Sequence, residues 1–176
     1  MKTKAEKVDQ RFQNAQNRAR GAWFEKLIDS GCVYYRTQGI ADIEKTPEPM
    51  KVLRPMGQGR FLAAYTAAAQ ADYKGLLTGG RAVYFEAKST DTDRMLQSRV
   101  TPNQAERLQR AYQMGALVFV LCEIRDRYYR IPWEHWCRMK EKFGHKYLTQ
   151  EDADKHDWTI RIGPSAALLF LEGICK

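Results

Sequence analysis

The stretch Asp72-Tyr-Lys-Gly-Leu-Leu-Thr-Gly-Gly-Arg-Ala-Val-Tyr-Phe-Glu-Ala-Lys88 decides how this chain is read. Two β-compatible runs flank the double glycine Gly79-Gly80, which is a hairpin signal. Side chains alternate along a strand, so Tyr84, Glu86 and Lys88 share one face while Val83, Phe85 and Ala87 share the other. The apolar set is expected to face a core, leaving Glu86 and Lys88 on the functional or solvent side. A hairpin turning on Gly79 sets Asp72 directly across from Glu86, with Cβ atoms ~5 Å apart. A register slip of one residue would carry Asp72 to the opposite face.

Two carboxylates that close repel unless a cation or a proton lies between them. A hard divalent ion such as Mg²⁺ takes oxygen ligands and keeps several waters, so Asp72 and Glu86 are a candidate pair for it. Lys88, on the same face, could stabilise charge building on the non-bridging oxygens of a phosphodiester or hold the attacking water. The metal would lower that water's pKa. Asp72, Glu86 and Lys88 therefore form a minimal set for metal-assisted phosphodiester hydrolysis. Glu and Lys on an exposed strand face are also commonplace, and the triad by itself reads more readily as a solvated strand.

Outward from the hairpin, a mixed α/β order emerges. The N-terminal stretch to about Ser30 reads as a helix, with Trp23, Phe24, Leu27 and Ile28 at helical spacing and Gly31 as its cap. Cys32-Val-Tyr-Tyr35 reads as a short strand. The Pro-punctuated segment from Lys45 to Arg60 is a poor core candidate, either a strand pair or an exposed loop, presenting Lys45, Lys51, Arg54 and Arg60. Asp91 to Arg99 reads as loop. Thr101-Pro-Asn-Gln104 opens a helix that runs to about Met114, with Thr101 at N-cap, proline at N1 and Gln104 completing a capping box. Ala116 to Ile124 is a buried strand, Tyr128-Tyr-Arg-Ile131 a second, and Pro132 opens a helix towards Phe143. Trp158 to Ile162 reads as a late strand and Ser165 to Ile174 as a short apolar element. Tyr34, Tyr35, Tyr128 and Tyr129 read as half-buried strand residues.

At 176 residues the chain is expected to form a single domain over 1–176, with residues 141–176 as a C-terminal appendage. The formal net charge of +8 favours a polyanionic partner. No apolar run approaches the roughly 18 residues that span a membrane, and the basic start lacks the apolar stretch of a secretory signal. Cys32, Cys122, Cys137 and Cys175 are scattered without a C-x-x-C pair, and with only His135, His145 and His156 beside them no zinc site is expected. They read as reduced thiols, consistent with a cytoplasmic protein.

The chain resembles the RecU-type Holliday junction resolvases, a branch of the restriction-endonuclease-like PD-(D/E)XK nucleases. Gly21-Ala-Trp-Phe-Glu25 is similar to the family's first-helix signature. Tyr34-Tyr-Arg-Thr-Gln-Gly-Ile40 and Lys45-Thr-Pro-Glu-Pro49 are similar to the strand and basic Pro-rich segment that follow. Asp72-Tyr-Lys-Gly75 with Phe85-Glu-Ala-Lys88 resembles the metal-binding hairpin, Gln104 a glutamine that opens the next helix, and Tyr128-Tyr and Trp136 an aromatic strand and helix. The likeness spans roughly Gly21 to Trp136.

The resemblance implies a mixed central sheet flanked by helices, with a projecting basic stalk at about 51–65. It implies Mg²⁺ held by Asp72, Glu86 and Gln104, with Mn²⁺ as a substitute, Lys88 as transition-state stabiliser and Glu25 as a further acid acting at a distance or through water. It also implies a homodimer that makes paired nicks in four-way DNA junctions during recombination, with Lys45, Lys51, Arg54 and Arg60 on the DNA. By their residues alone, Gln104 reads equally as a helix cap and Glu25 as a solvated flank. Gln70 departs from the hydroxyl residue usual two places before the metal aspartate. Two other readings stand beside this one: a restriction-like or repair endonuclease on linear or other branched DNA, and a catalytically silent junction-binding module.

Overall fold

The computed structural model describes residues 4–47, 50–65 and 70–174. In chain order the elements are α1 (Lys4–Thr37), β1 (Ala41–Lys45), β2 (Met50–Gly57), β3 (Arg60–Tyr65), β4 (Tyr73–Leu77), β5 (Ala82–Thr90), β6 (Arg94–Leu96) and α2 (Pro102–Gln113). They continue with β7 (Leu117–Ile124), β8 (Arg127–Pro132), α3 (Trp133–Cys137), α4 (Met139–Phe143), β9 (Tyr147–Thr149), α5 (Gln150–Asp154) and β10 (Thr159–Ile160). Six strands make the central sheet in the order β1-β4-β5-β7-β8-β10. Only β5 and β7 run parallel. The helix α2 supplies their crossover, as a parallel connection requires. The expected mixed sheet flanked by helices is what forms.

Each face of the sheet carries its own core. On one face, Phe24, Leu27, Ile28 and Tyr35 form a single helical stripe of α1 over Ile43, Tyr73, Val83, Phe85 and Phe119. Tyr73, Phe85 and Phe119 stack ring on ring across three strands, with centroids 4.9 and 4.8 Å apart. Each such side chain taken fully out of water contributes ~1.5–3 kcal/mol. On the other face, Leu108 of α2, Trp133, Trp136, Met139 and Leu148 cover Val118, Val120, Cys122 and Ile131. Of the two settings expected for the Glu86–Lys88 face, functional or solvent, the structure does not give open solvent: Glu86 is buried and Lys88 half-buried.

The helix α1 does not stop at Gly31, and Cys32–Tyr35 is not a strand. Its end lies at Gly39, whose φ of +67° lets Gly39 N–H reach the Arg36 carbonyl while Ile40 N–H reaches that of Tyr35. This pair of bonds is a Schellman cap. Gly31 is inside the helix for a different reason: a Cβ there would lie 2.4 Å from the Leu168 carbonyl oxygen and 2.9 Å from the Phe170 ring. The C-terminal run Ala167–Leu171 is buried, and its Leu168 N–H bonds the Leu27 carbonyl. A segment expected as an appendage thus completes the first core.

Two further differences are local. Asp91–Arg99 contains β6, paired with β9, and the helix expected from Pro132 to Phe143 is broken into α3 and α4 at Arg138. The segment around 50–65 forms a two-stranded ribbon that shares no ladder with the central sheet, and every side chain from Met50 to Ala64 is exposed. Lys51, Arg54 and Arg60 lie on it. Among the described residues no helix is long and apolar enough to cross a membrane. Cys32, Cys122 and Cys137 are free thiols, and Cys175 lies outside the described residues.

The close approach at Gly31 predicts an inverted propensity effect. Alanine favours a helix over glycine by ~1 kcal/mol, yet Gly31→Ala must push the Leu168 backbone away and should lower stability by ~1–3 kcal/mol in urea unfolding. A stabilised variant would show that the C-terminal run does not abut α1 at this point.

Candidate active site

The turn at Gly79-Gly80 sets the β4–β5 register as the sequence implied, with Tyr73 opposite Phe85 and Lys74 opposite Tyr84. One residue before β4, Asp72 therefore lies across from Glu86. Its backbone is fixed on the other side too, because Thr46 N–H donates to the Asp72 carbonyl at 2.9 Å. Three adjacent strands thus hold the Asp72 main chain in place.

Lys88 Nζ donates to Glu86 Oε2 at 2.7 Å and to Asp72 Oδ2 at 3.2 Å, so one ammonium spans both carboxylates. Asp72 Oδ2 also accepts the Ala87 backbone N–H at 3.0 Å. Glu86 is 0% exposed. Its Oε2 accepts from Gln104 Nε2, while its Oε1 is buried with no hydrogen-bond partner. Burial pushes the Glu86 carboxyl up to about 8; Lys88 pulls it down, and Asp72 next to it pushes it further up. Burial works against the charge on Lys88, but Asp72 and Glu86 together hold its pKa above the ordinary lysine value. The centre is therefore short of positive charge: one ammonium faces two carboxylates, and a buried oxygen has no partner.

Gln104 is the helix cap that the capping box implied, and where the resemblance implied a Mg²⁺ ligand it braces Glu86 instead. Its Oε1 accepts the Thr101 backbone N–H at 3.0 Å in the capping box, and its Nε2 donates to Glu86. In this arrangement the amide oxygen faces the cap and the amide nitrogen faces the site. Gln104 thus ties the start of α2 to the buried carboxylate.

Glu25 and Lys45 meet each other. Lys45 Nζ donates to Glu25 Oε2 at 2.8 Å, and this bond, with Asp29 and Asp72 near it, raises the lysine's pKa. Lys45, expected on the DNA, is thus committed to an acid of α1. Gln70, at the position where a hydroxyl was expected, accepts from Lys74 at 2.6 Å instead. Lys51, Arg54 and Arg60 belong to the ribbon and do not meet this cluster; Arg60 donates to Gln58 at 3.0 Å.

Several supporting contacts escaped the sequence. Tyr73 OH donates to Asp29 at 2.8 Å. At the end of β7, the buried Glu123 accepts from Arg20 of α1 at 3.4 Å. Burial raises the Glu123 carboxyl to about 7 in spite of Arg20. Only the helical face of α1, which places Arg20 and Phe24 one turn apart, pointed towards the latter contact.

The residues fit a hard divalent cation. Two carboxylates converge, one presenting a buried oxygen with no partner, and the one cation between them is an ammonium on a flexible stem. Among the described residues no group of three or more His, Cys, Asp or Glu side chains gathers anywhere. An ion here would have Asp72 and Glu86 as its protein anions, with water completing its shell, as suits Mg²⁺.

Holliday junction resolvase RecU from Staphylococcus aureus strain JH9 is 26% identical over 177 residues, covering 94% of this chain and 84% of that protein. The protein of the same description from strain N315 matches to the same extent. The structure of Archaeoglobus fulgidus Hjc, a Holliday junction resolvase from an archaeal hyperthermophile, has a TM-score of 0.48 and 13% identity, over 83% of this chain and 99% of that one. The family model described as Recombination protein U matches residues 19–176, taking in every residue of the cluster. The chain belongs to the RecU family.

Proposed function

We propose that the chain is a Holliday junction resolvase, a Mg²⁺-dependent endonuclease that as a homodimer nicks opposing strands of a four-way DNA junction. The observation that carries the chemistry is the Asp72–Lys88–Glu86 cluster with its partnerless buried oxygen. Family membership and the RecU relatives support the branched substrate, and the exposed ribbon with Lys51, Arg54 and Arg60 supplies cationic groups for it.

In this reading Asp72 and Glu86 hold the ion. The bound ion supplies Lewis-acid stabilisation of the phosphoryl oxygens and a more acidic water. Ala87 N–H and Gln104 Nε2 fix the two carboxylates from behind, so little reorganisation is needed when phosphate arrives. Lys88, freed from one of its carboxylate contacts, can turn its ammonium to a non-bridging oxygen or to the attacking water. Glu25 and Lys45 hold a charge pair beside Asp72 and limit how far its carboxylate can swing.

The variants Asp72→Asn, Glu86→Gln and Lys88→Met should each slow cleavage of a synthetic four-way junction at least ~100-fold, with junction binding in EDTA retained. Full activity in either carboxamide variant would remove this cluster from the chemistry. In Mg²⁺, linear duplex of the same sequence should be cut far more slowly than the junction. Equal rates would favour a restriction-like or repair nuclease, and no turnover on any substrate a silent binding module.

The sign of a pH effect follows from Glu86. Its folded pKa, about 8, lies above the unfolded value, so its contribution to stability is complete below the unfolded pKa. That contribution is lost as pH rises through about 8. Metal-free protein should thus melt at a lower temperature at pH 9 than at pH 6, and Mg²⁺ should raise the melting temperature more at pH 9. Glu86→Gln should flatten both trends, leaving the smaller same-sign dependence of Glu123. An equal Mg²⁺ increment at both pH values, unchanged by Glu86→Gln, would contradict the assignment of Glu86 as the ion's ligand.

A further inference from the structure

The stripe of α2 that begins at Gln104 does not end at the catalytic cluster. Arg107, Arg110 and Met114 continue it at helical spacing. The opposite flank of α2 is occupied by its neighbour α3, through Gln109 with Trp133 at 2.8 Å and Tyr112 with Glu134 at 3.2 Å. The Arg107 flank instead walls a groove of ≈ 620 Å³, whose other wall is the β4–β5 hairpin. The groove starts at Ala71 and Tyr84, the neighbours of Asp72 and Glu86, and runs to Arg81 and Gly115 at the hairpin tip.

Its charge is one-sided. Arg81, Arg107 and Arg110 line it, and none of the lining residues is acidic. Arg81 is held in place by its Nε, which donates to the Gly115 carbonyl at 3.1 Å, so the rest of its fork remains available to acceptors. Arg110 has only an exposed contact with Glu106 at 3.9 Å, a pairing that contributes little. Arg107 has no carboxylate within ion-pair reach among the described residues. A rise of 1.5 Å per residue puts Arg107 roughly 4.5 Å and Arg110 roughly 9 Å along the helix from Gln104. Phosphates succeed one another every ~3.4 Å of axis along one DNA strand.

Resting on the nuclease reading of the adjoining cluster, we infer that this groove is a backbone track. Arg107, Arg110 and Arg81 bind the phosphates of the scissile strand one to three nucleotides from the bond that Asp72, Glu86 and Lys88 address. The ribbon holds the branched DNA as a whole, and the groove sets which phosphate of the arm lies over the cluster. The arginines act as positioning residues and make no contact with the reacting atoms.

The test is binding of a four-way junction in EDTA, where no cleavage is needed, using a series of arms in which single phosphates are replaced by neutral methylphosphonates. For the wild-type protein, a run of two or three consecutive replacements should each weaken binding several-fold, and in Mg²⁺ the cut should fall within three nucleotides of that run. Arg107→Ala/Arg110→Ala should bind the unmodified junction roughly tenfold more weakly, with its salt slope reduced by about 2. It should also lose its sensitivity to those same replacements. Arg107→Lys/Arg110→Lys should restore most of the slope. Full retention of the methylphosphonate pattern in the alanine variant would overturn the track, as would loss of self-association with DNA binding unchanged, which would make the groove a contact between copies. If the wild-type protein shows the interference pattern but never cuts, the nuclease reading fails while the phosphate track stands.

Discussion

The burial of the Glu86 carboxylate beside Asp72 is the constraint around which the rest of this fold is arranged. Placing two anions on adjacent strands, one of them fully out of water, is unfavourable by several kcal/mol unless positive charge and hydrogen bonds offset it. Lys88, Gln104 and the Ala87 amide supply part of that offset, and one carboxylate oxygen is still left without a partner. The site can persist only because structure on every side over-determines it. The stack of Tyr73, Phe85 and Phe119 pins one face of the same strands, and the Trp133–Trp136 core pins the other. The two cores and the buried centre are one design: a rigid sheet keeps Glu86 out of water, where burial raises its carboxyl to about 8, while a looser fold would turn the side chain outward.

The capping box shows how economically the centre is built. A glutamine at N3 would be satisfied by the cap alone. Here the carboxamide is long enough for its oxygen to serve Thr101 and its nitrogen to serve Glu86, so the first turn of α2 is locked to β5. That lock passes along the helix. The crossover from β5 to β7 starts at the buried carboxylate, and the stripe that carries Gln104 carries Arg107 and Arg110 as well, so the groove's cations are in register with the centre by helix geometry alone.

The Asp72–Glu86 pairing was legible because a two-glycine turn leaves little freedom in hairpin register, and both residues lie within ten positions of it. The capping box and the buried strand from Leu117 were legible for the same reason, since their signals are local. Cys32–Tyr35 was misread because aromatic and β-compatible residues look like a strand when read alone. What makes them helical is the packing of Tyr35 on Phe170 and the bond from Leu171 N–H to the Tyr35 hydroxyl, 136 residues away in sequence. The burial of Glu86 was legible only in part: alternation along β5 shows which residues share a face, but the contact from Gln104 of α2 shows that Glu86 is covered. Glu25 could be read as near the site only by resemblance. Its pairing with Lys45 joins a helix to the end of a strand and leaves no spacing signal.

The net charge, which first suggested a polyanion, is a poor guide to where that polyanion lies. Many of the chain's cations are paired with its own acids. Lys88 is held by Asp72 and Glu86, Lys45 by Glu25, Arg20 by Glu123 and the Arg125 carbonyl, Arg36 by Asp42, Arg127 by Asp154, and Arg161 by Glu172. Such pairs stiffen the fold and contribute little to a field that a ligand would feel beyond a Debye length of ~8–10 Å. What distinguishes the ribbon cations and the groove arginines is their placement. Lys51 and Arg54 sit on a ribbon exposed from Met50 to Ala64, and Arg107 and Arg81 face a cleft lined by no acid. The Asp72–Glu86–Lys88 cluster adjoins the groove at Ala71 and Tyr84. A chain of phosphates running from the groove onto the cluster would meet cations and then carboxylates, whose repulsion a divalent ion would reverse. With an ion held there as proposed, the same electrostatics would favour DNA, so binding of substrate and ion should reinforce one another.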